Sequence, residues 1–551
     1  MTLRDWLERL AKARNDDKIV AVALEVDSPS MTWAQAQELA DAVERLQAAK
    51  PVYAFLSSGD TKDFLVASAA GKVTMDPAGS LEITGLAGEM MFFRDTLAWL
   101  GIEPQFIQIG RFKGAAEPMT ATQPSAELQQ VYGWLLDDLY AQMCEQIARQ
   151  RHITQEQAAA AIDAGPLSAG SAKEHALVDQ LVEGVDWQDF VTQSVSRKGA
   201  AGGDVEWVRN YGRKTRASVD LSNPFALFRS LAAPSEQAIT DPTIAIIHVD
   251  GMIVSGASGE GMLSDRRVGD RTLTACLKKV AEDDRVKAVI LRINSPGGSA
   301  IASEQIYQAV RRCAEKKPVI ASVSQMAASG GYYIAVGANR ILADPAALTG
   351  SIGVISGKLA FSDLLGKLKI SRYEMTRGKN AGMWLTRPWN AREQEIIRSL
   401  AQQTYELFVR RVAQSRAGKI KSMDAVAQGR VFTARQAVEN GLIDGIGGMR
   451  EAMAAAQSAA HTPRCRFVTL PRPRTLMDLL GGEGGADSDD GVEFSSPLSG
   501  QLSLLQLAAG SPLASTPLVK DSGLAYLLNL ADLMGRERVL AAVPYYFALH
   551  P

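Results

Sequence analysis

The sequence contains two copies of one pattern, and this duplication restricts the fold more than any other feature. The segment DDKIVAVALEVDSPS at 16–30 matches DDRVKAVILRINSPG at 283–297, at an offset of 283 − 16 = 267 residues. The match continues in order as far as ALVD at 176–179, which matches GLID at 441–444 at an offset of 441 − 176 = 265 residues. Two copies of about 160 residues with few insertions between them predict two similarly folded units.

Within each copy, short apolar runs of strand length alternate with amphipathic helical patterns. Near-continuous apolar strands between helices predict an α/β fold in which helices cover the sheet. The first copy ends in a long helical pattern at 125–151 and the second in one at 390–416. In the second copy, the predicted strands are 243–251, 286–294, 317–324 and 340–344, with a helix at 302–316.

Composition shifts along the chain indicate where these units begin and end. Gly, Ser, Arg and Pro are frequent between the copies, and GGEGGADSDDGVEFSSP at 481–497 has the composition of a flexible linker. Apolar helical patterns follow, including 524–543; the tail could pack on the body, on another subunit or on a membrane surface. We expect an N-terminal repeat at 1–194, a linker at 195–242, a C-terminal repeat at 243–470, a flexible linker at 471–497 and a helical tail at 498–551.

The totals exclude some functions. The formal net charge of −2 gives no basic surface for nucleic acid. The four cysteines show no CxxC spacing and the chain has five histidines, which argues against a zinc site or a disulfide framework. No run of 18 or more uncharged apolar residues predicts a membrane span, and the start is a charged amphipathic helix rather than a signal peptide. A soluble location in the cytoplasm therefore remains open.

The two copies differ where chemistry is expected. The second copy has NSPGGS at 294–299 where the first has DSPSMT at 27–32, and paired glycines can present bare backbone N–H groups to a ligand. The second copy also places Ser329 in the small-residue run MAASGG, whereas Thr61 stands at the equivalent position in the first. A helix that starts there would direct its positive end at a developing oxyanion. The second copy alone keeps a candidate nucleophile, although a helix N-cap is the structural alternative.

A serine nucleophile needs a base, and a lysine is the stronger candidate here. His248 lies alone in a predicted strand, where a structural role is the commoner interpretation. Lys113 stands among small and apolar residues in GRFKGAAEPM, and the equivalent position in the second copy, 113 + 268 = 381, is an alanine. Burial can lower a lysine pKa toward neutrality, whereas a solvated surface lysine would be inert. The rival Lys379 aligns with Arg111 instead, two residues out of register.

Four motifs in order, GRFKGAAEPM, INSPGGSAIASE, MAASGGYYIA and ADPAALTGSIGV, resemble the long, two-repeat form of signal peptide peptidase A, or protease IV. The resemblance covers roughly residues 1–470. It implies tandem duplicated Clp protease/crotonase-like domains and a serine–lysine dyad. Members carry a strand before the first helix of the N-terminal repeat, preceded by a hydrophobic anchor. No counterpart of 243–256 precedes the first copy here, so we expect the first repeat either to lack that strand or to continue upstream.

The resemblance also assigns roles. Ser329 would be the nucleophile and Lys113 the general base, with Gly298 and Gly330 as oxyanion-hole N–H donors and Ser351 orienting the lysine. It implies no cofactor or metal. It implies peptide substrates such as cleaved signal peptides and other extended apolar segments, and a homo-oligomer, a tetramer in the long form. It further implies association with the periplasmic side of a bacterial inner membrane.

Two other functions remain open from the sequence. A crotonase-like acyl-CoA enzyme would use a similar pair of backbone donors to hold a thioester enolate, without needing Ser329 and Lys113 together. A catalytically silent scaffold of the same fold would result if the missing N-terminal strand kept the dyad from forming.

Overall fold

The computed structural model describes most of both sequence copies. It covers residues 3–26, 31–197, 205–209, 211–212, 241–260, 266–471 and 539–542. Most of the predicted linker at 195–242, nearly all of the predicted linker at 471–497 and nearly all of the predicted tail at 498–551 lie outside the described residues.

The first copy forms a parallel sheet of four strands in the order Val22–Val26, Val52–Leu56, Lys72–Met75 and Gln180–Leu181. Its further strands are Gly59–Asp60, Ser80–Glu82, Glu103–Ile109 and Leu167–Ser168. Its helices are Leu3–Asn15, Trp33–Gln47, Thr61–Ala67, Arg94–Leu100, Glu117–Thr120, Ala126–Arg151, Gln155–Asp163, Ala169–Glu174 and Trp187–Arg197, with a 3₁₀ turn at Gly114–Ala116.

The second copy has a larger sheet of eight strands, in which Thr243–Asp250 and then Arg466–Leu470 lie beyond the equivalent of the first copy's edge strand. Its helices are Asp270–Glu282, Ala300–Lys316, Gly330–Ala335, Ser362–Lys367, Ala391–Ser415, Met423–Val426, Ala434–Glu439 and Met449–Ala459. Its strands are Thr243–Asp250, Met252–Val254, Gly259–Glu260, Arg266–Gly269, Val286–Ser295, Gly297–Ser299, Val319–Ala328, Arg340–Ala343, Leu348–Gly350, Val354–Ala360, Val431–Thr433, Gly445–Ile446 and Arg466–Leu470.

The two copies share strand register as well as strand order. Val22 pairs with Val52 in the first sheet, and Val289 pairs with Val319 in the second, both at the offset of 267 residues. The next strands also correspond, because Tyr53–Lys72 and Ile320–Arg340 are equivalent pairs. The duplication found in the sequence is therefore a duplication of the folded unit. In the described part of the chain, Val22–Val26 pairs with Val52–Leu56 alone, whereas its counterpart in the second copy also pairs with Thr243–Asp250.

A mixed sheet joins the two copies. Glu103–Ile109 of the first copy pairs antiparallel with Val354–Ala360 of the second over seven residue pairs, from Val354–Ile109 to Ala360–Glu103. This pairing fixes where the first copy's chain emerges after Ile109. Lys113 is the fourth residue after Ile109, so the pairing places this lysine of the first copy against the second copy.

A buried ion-pair cluster also connects the copies. The Arg292 guanidinium donates to Glu38 Oε2 at 2.8 Å and to Asp344 Oδ2 at 3.2 Å. Glu38 comes from the helix Trp33–Gln47 of the first copy, and its second oxygen accepts from the Met449 backbone N–H. Burial raises the pKa of Asp344 well above its ordinary value. Because one cation serves two buried carboxylates, the copies are held by a contact that requires all three side chains.

The structure corrects one part of the predicted tail. The sequence predicts a helix over 524–543, but residues Leu540–Ala542 within that range form a strand. This strand pairs with Gly297–Ser299 and with Ile355. Pairing with residues far away in the sequence decides the conformation here, in place of the local helix propensity of leucine and alanine.

Candidate active site

Ser329 lies at a sharp turn between a buried strand and a short helix. The strand Val319–Ala328 ends directly before it, and the helix Gly330–Ala335 begins directly after it. Its backbone has φ 53° and ψ −114°, in a region that costs a non-glycine residue about 1–3 kcal/mol. Ser329 occupies the N-cap position, but its hydroxyl makes no capping hydrogen bond. The side chain is therefore not used as a helix cap, and it faces the first copy instead.

Lys113 reaches Ser329 from the other copy. Its Nζ lies 2.9 Å from Ser329 Oγ, although the two residues are 216 positions apart in the sequence. The Ser351 hydroxyl oxygen lies 2.8 Å from the same Nζ, and the Ser351 carbonyl oxygen lies 3.0 Å from it. Lys113, Ser329 and Ser351 are each fully buried. The interpretation of Lys113 as a solvated surface residue is wrong.

Burial lowers the pKa of Lys113 well below its ordinary value of 10.5. Water stabilises an ammonium far better than a protein interior does, so a buried amine gives up its proton more readily. A neutral amine beside a hydroxyl can accept the proton that the hydroxyl loses when it attacks. The arrangement therefore has the geometry and the protonation behaviour of a serine with a lysine base.

Two glycines that the sequence reasoning missed shape the lysine's surroundings. Gly429 has φ 83°, and a Cβ there would lie 2.7 Å from the Lys113 backbone nitrogen. Gly353 would place a Cβ 3.0 Å from Lys113 Cδ. Gly353 belongs to the motif LTGSIGV, so that motif could have indicated its place in the site. Gly429 follows a short helix, and nothing in its local sequence connects it with residue 113.

The glycine-rich strand lies beside the serine turn. A Cβ on Gly297 would lie 2.8 Å from the Gly330 nitrogen, so the two backbones approach as closely as glycine allows. Gly298 has φ 154° and pairs with Ile253 in the same sheet. The structure thus brings together Ser329, Lys113 and Ser351 through hydrogen bonds, and it places Gly330 against Gly297, with Gly298 one residue further along the strand.

The rival bases lie elsewhere. His248 pairs in register with Arg292 within the second copy's main sheet. Lys379 is exposed in an irregular segment. The four cysteines are free thiols. Within the described ranges, no group of three or more His, Cys, Asp or Glu side chains is placed to hold a metal ion.

Comparison with known families agrees with this architecture. A model of the Clp protease family matches residues 267–346 of the second copy, a range that includes both the NSPGGS motif at 294–299 and Ser329. A model described as peptidase family S49 matches both copies, at residues 44–196 and 311–462.

Matches to curated relatives cover most of this chain. A chloroplastic serine protease SPPA from Arabidopsis thaliana is 30% identical over 496 residues, covering 88% of this chain and 70% of that protein. Protease 4 from Salmonella typhi is 27% identical over 495 residues, covering 87% of this chain and 75% of that protein. A solved structure of the 1510-N membrane-bound stomatin-specific protease, as a lysine-to-alanine mutant in complex with a substrate peptide, aligns with a TM-score of 0.28 and 16% identity, covering 44% of this chain and 96% of that one.

The fold and the family matches define a serine peptidase with duplicated Clp protease-like domains. The chain belongs to peptidase family S49. These matches do not favour the alternative of an acyl-CoA enzyme. The structure offers no helix among its described residues with both the length and the apolar character needed to cross a bilayer.

Proposed function

We propose that this peptidase cleaves peptide bonds with Ser329 as nucleophile and Lys113 as general base. The observation that carries the proposal is the 2.9 Å separation of Lys113 Nζ and Ser329 Oγ inside a fully buried site. The Ser329 oxygen attacks the scissile carbonyl carbon while Lys113 takes the hydroxyl proton. The lysine then gives that proton to the leaving amine, and water hydrolyses the acyl-enzyme ester.

The remaining site residues take supporting roles. Ser351 accepts a hydrogen bond from Lys113 through its hydroxyl and another through its carbonyl, which limits the positions the amine can occupy. Gly298 and Gly330 supply backbone N–H groups to the developing oxyanion. The close approach of the glycine strand to the serine turn supports this pairing. Loss of one such donor typically costs about 10²–10³ in rate.

We infer the substrates and setting from the family. They are extended apolar peptides, including cleaved signal peptides, presented at a membrane surface on the periplasmic side. The active assembly is a homo-oligomer of four chains. We also retain the division into repeats at 1–194 and 243–470 with linkers at 195–242 and 471–497 and a tail at 498–551, because the register shared by the two sheets supports two equivalent units.

A fluorophosphonate probe tests the dyad directly, because it labels an activated serine. We expect the wild-type chain to be labelled and both Ser329→Ala and Lys113→Ala to lose labelling. Lys379→Ala is the matched control, since it removes an exposed lysine and should label normally. Full labelling of the Lys113→Ala variant would contradict the assignment of the base. The silent-scaffold alternative predicts no labelling of any variant and no hydrolysis of peptides.

A further inference from the structure

The strand Leu540–Ala542 lies in the same sheet as the glycine motif of the site. It pairs antiparallel with Gly297–Ser299, with Gly298 opposite Ala541. On its other side, Leu540 pairs antiparallel with Ile355. Before the strand, the Val539 carbonyl oxygen accepts a hydrogen bond of 3.2 Å from the Ala300 N–H. The segment therefore fills a slot between two strands of the second copy.

This slot lies beside the turn that holds Ser329. A Cβ on Gly330, the residue after Ser329, would lie 3.1 Å from the Ala541 carbonyl oxygen. A Cβ on Gly297 would lie 2.0 Å from the same oxygen, so the segment can approach only because glycine stands there. A peptidase must bring a substrate carbonyl next to its nucleophile and its backbone donors. The Ala541 carbonyl oxygen lies beside the backbone of both glycines, next to the residue that follows the nucleophile.

The Leu540 side chain fills an apolar pocket made by both copies. It packs with Met252 and Ile355 of the second copy and with Met119 of the first, together with Ala115 and Ala116. These two alanines follow Lys113 almost directly in the chain. Leu540 and Ala541 are each only 1% exposed. Part of the pocket that holds Leu540 is therefore formed by residues just after Lys113 in the sequence.

Extended peptides commonly bind by adding a strand to a sheet, with backbone hydrogen bonds giving affinity and side-chain pockets giving specificity. We propose that Val539–Ala542 is an internal ligand of the substrate groove, bound as an extended substrate binds, and that the Leu540 pocket selects a leucine-sized side chain in external substrates. The inference rests on the proposed function, because it takes Ser329 and its neighbours as the catalytic centre. An internal ligand competes with external peptides at a high effective concentration.

Peptide binding to the full chain carrying Ser329→Ala tests the proposal, since this variant leaves the segment uncut. The probe is a fluorescein-labelled peptide RERVLAAVPY, which copies residues 536–545, and the measurement is fluorescence anisotropy. We expect the double variant Ser329→Ala/Leu540→Asp to bind this probe at least tenfold more tightly than Ser329→Ala. The reason is that an aspartate cannot enter the apolar pocket, so the groove is vacated. Ser329→Ala/Ala541→Glu should give the same result by a different side chain.

Two controls make the result specific. Ser329→Ala/Val185→Asp adds a charge at a side chain that is 86% exposed, and it should bind the probe as Ser329→Ala does. A probe with aspartate in place of its leucine should bind the opened groove at least tenfold more weakly than the original probe. Equal affinity of the original probe for Ser329→Ala and for both double variants would overturn the proposal, and so would equal binding of the two probes.

The wild-type chain separates this result from the proposed function. If it hydrolyses peptides but the affinities above are equal, the internal-ligand proposal falls and the peptidase mechanism stands. If Ser329 is neither labelled by fluorophosphonate nor needed for hydrolysis, the mechanism falls, whatever the anisotropy shows.

Discussion

Lys113 Nζ lies 2.9 Å from Ser329 Oγ, and the two groups come from different copies of one duplicated unit. The second copy carries the serine turn, and the first copy delivers the lysine through the strand Glu103–Ile109, which pairs with Val354–Ala360. Each copy alone holds half of this pair. Anything that shifts the copies relative to each other should therefore act on catalysis as well as on stability.

The dependence of kcat/KM on pH should report the protonation of Lys113. Only the neutral amine accepts a proton, so activity falls as pH drops through the lysine's pKa, and burial places that pKa well below 10.5. Ser351→Ala removes one acceptor that favours the charged amine, so the acid limb should move to lower pH, and kcat should fall about tenfold as positioning loosens. Ser68→Ala, a buried serine of the first copy, should leave the profile unchanged. An acid limb that stays in place in Ser351→Ala would contradict this account.

Lys113→Met should make the protein more stable while it abolishes activity. Because the folded-state pKa is lowered, the unfolded chain binds more protons than the folded one between that pKa and 10.5, so the lysine destabilises the fold most at lower pH. We expect Tm of Lys113→Met to exceed the wild-type Tm by a few degrees at pH 7 and the difference to shrink near pH 10. Differential scanning fluorimetry at both pH values measures it. The exposed-lysine variant Lys379→Met should show no such difference, and a lower Tm for Lys113→Met at pH 7 would refute the argument.

Gly429→Ala should impair the site without touching any reacting group. Gly429 has φ 83°, which disfavours alanine, and the added Cβ would lie 2.7 Å from the Lys113 nitrogen and must push that residue. Displacement of a catalytic group by about 1 Å can cost 10² in rate, so we expect kcat to fall at least tenfold with KM little changed. Steady-state kinetics on a peptide substrate measure both. Gly133→Ala, in a helix with open space around it, should behave as wild type. If Gly429→Ala keeps its full kcat, this contact does not position the lysine.

The sequence predicted the parts of the structure that the duplication makes visible. The alternation of strands and helices followed from the pattern within each copy, and the pairing of Lys113 with Ser329 followed from aligning the copies, because each copy has lost what the other kept. The order of the strands within each sheet was not predicted. Contacts between distant segments were beyond such reasoning. Gly429 matters only because the segment around Lys113 packs on it, and Leu540 lies in a strand only because Gly297–Ser299 and Ile355 pair with it. Local propensity contains neither fact.

Arg292→Met tests the ion-pair cluster that joins the copies. Removing the guanidinium leaves Glu38 and Asp344 buried together without a cation, which should lower the free energy of unfolding by about 3–5 kcal/mol near pH 8. Burial raises the pKa of Asp344 and Arg292 lowers it, so without the guanidinium that pKa would rise further; the folded state would bind an extra proton and regain stability as pH falls. Urea unfolding at pH 8 and pH 5.5 should show a smaller deficit at the lower pH. Arg285→Met, which breaks an exposed pair with Asp283, should change stability little at either pH. The cluster connects the helix of Glu38 to the second copy, so Arg292→Met should also weaken fluorophosphonate labelling of Ser329. A stability deficit that is equal at both pH values would contradict the argument from the protonation of Asp344.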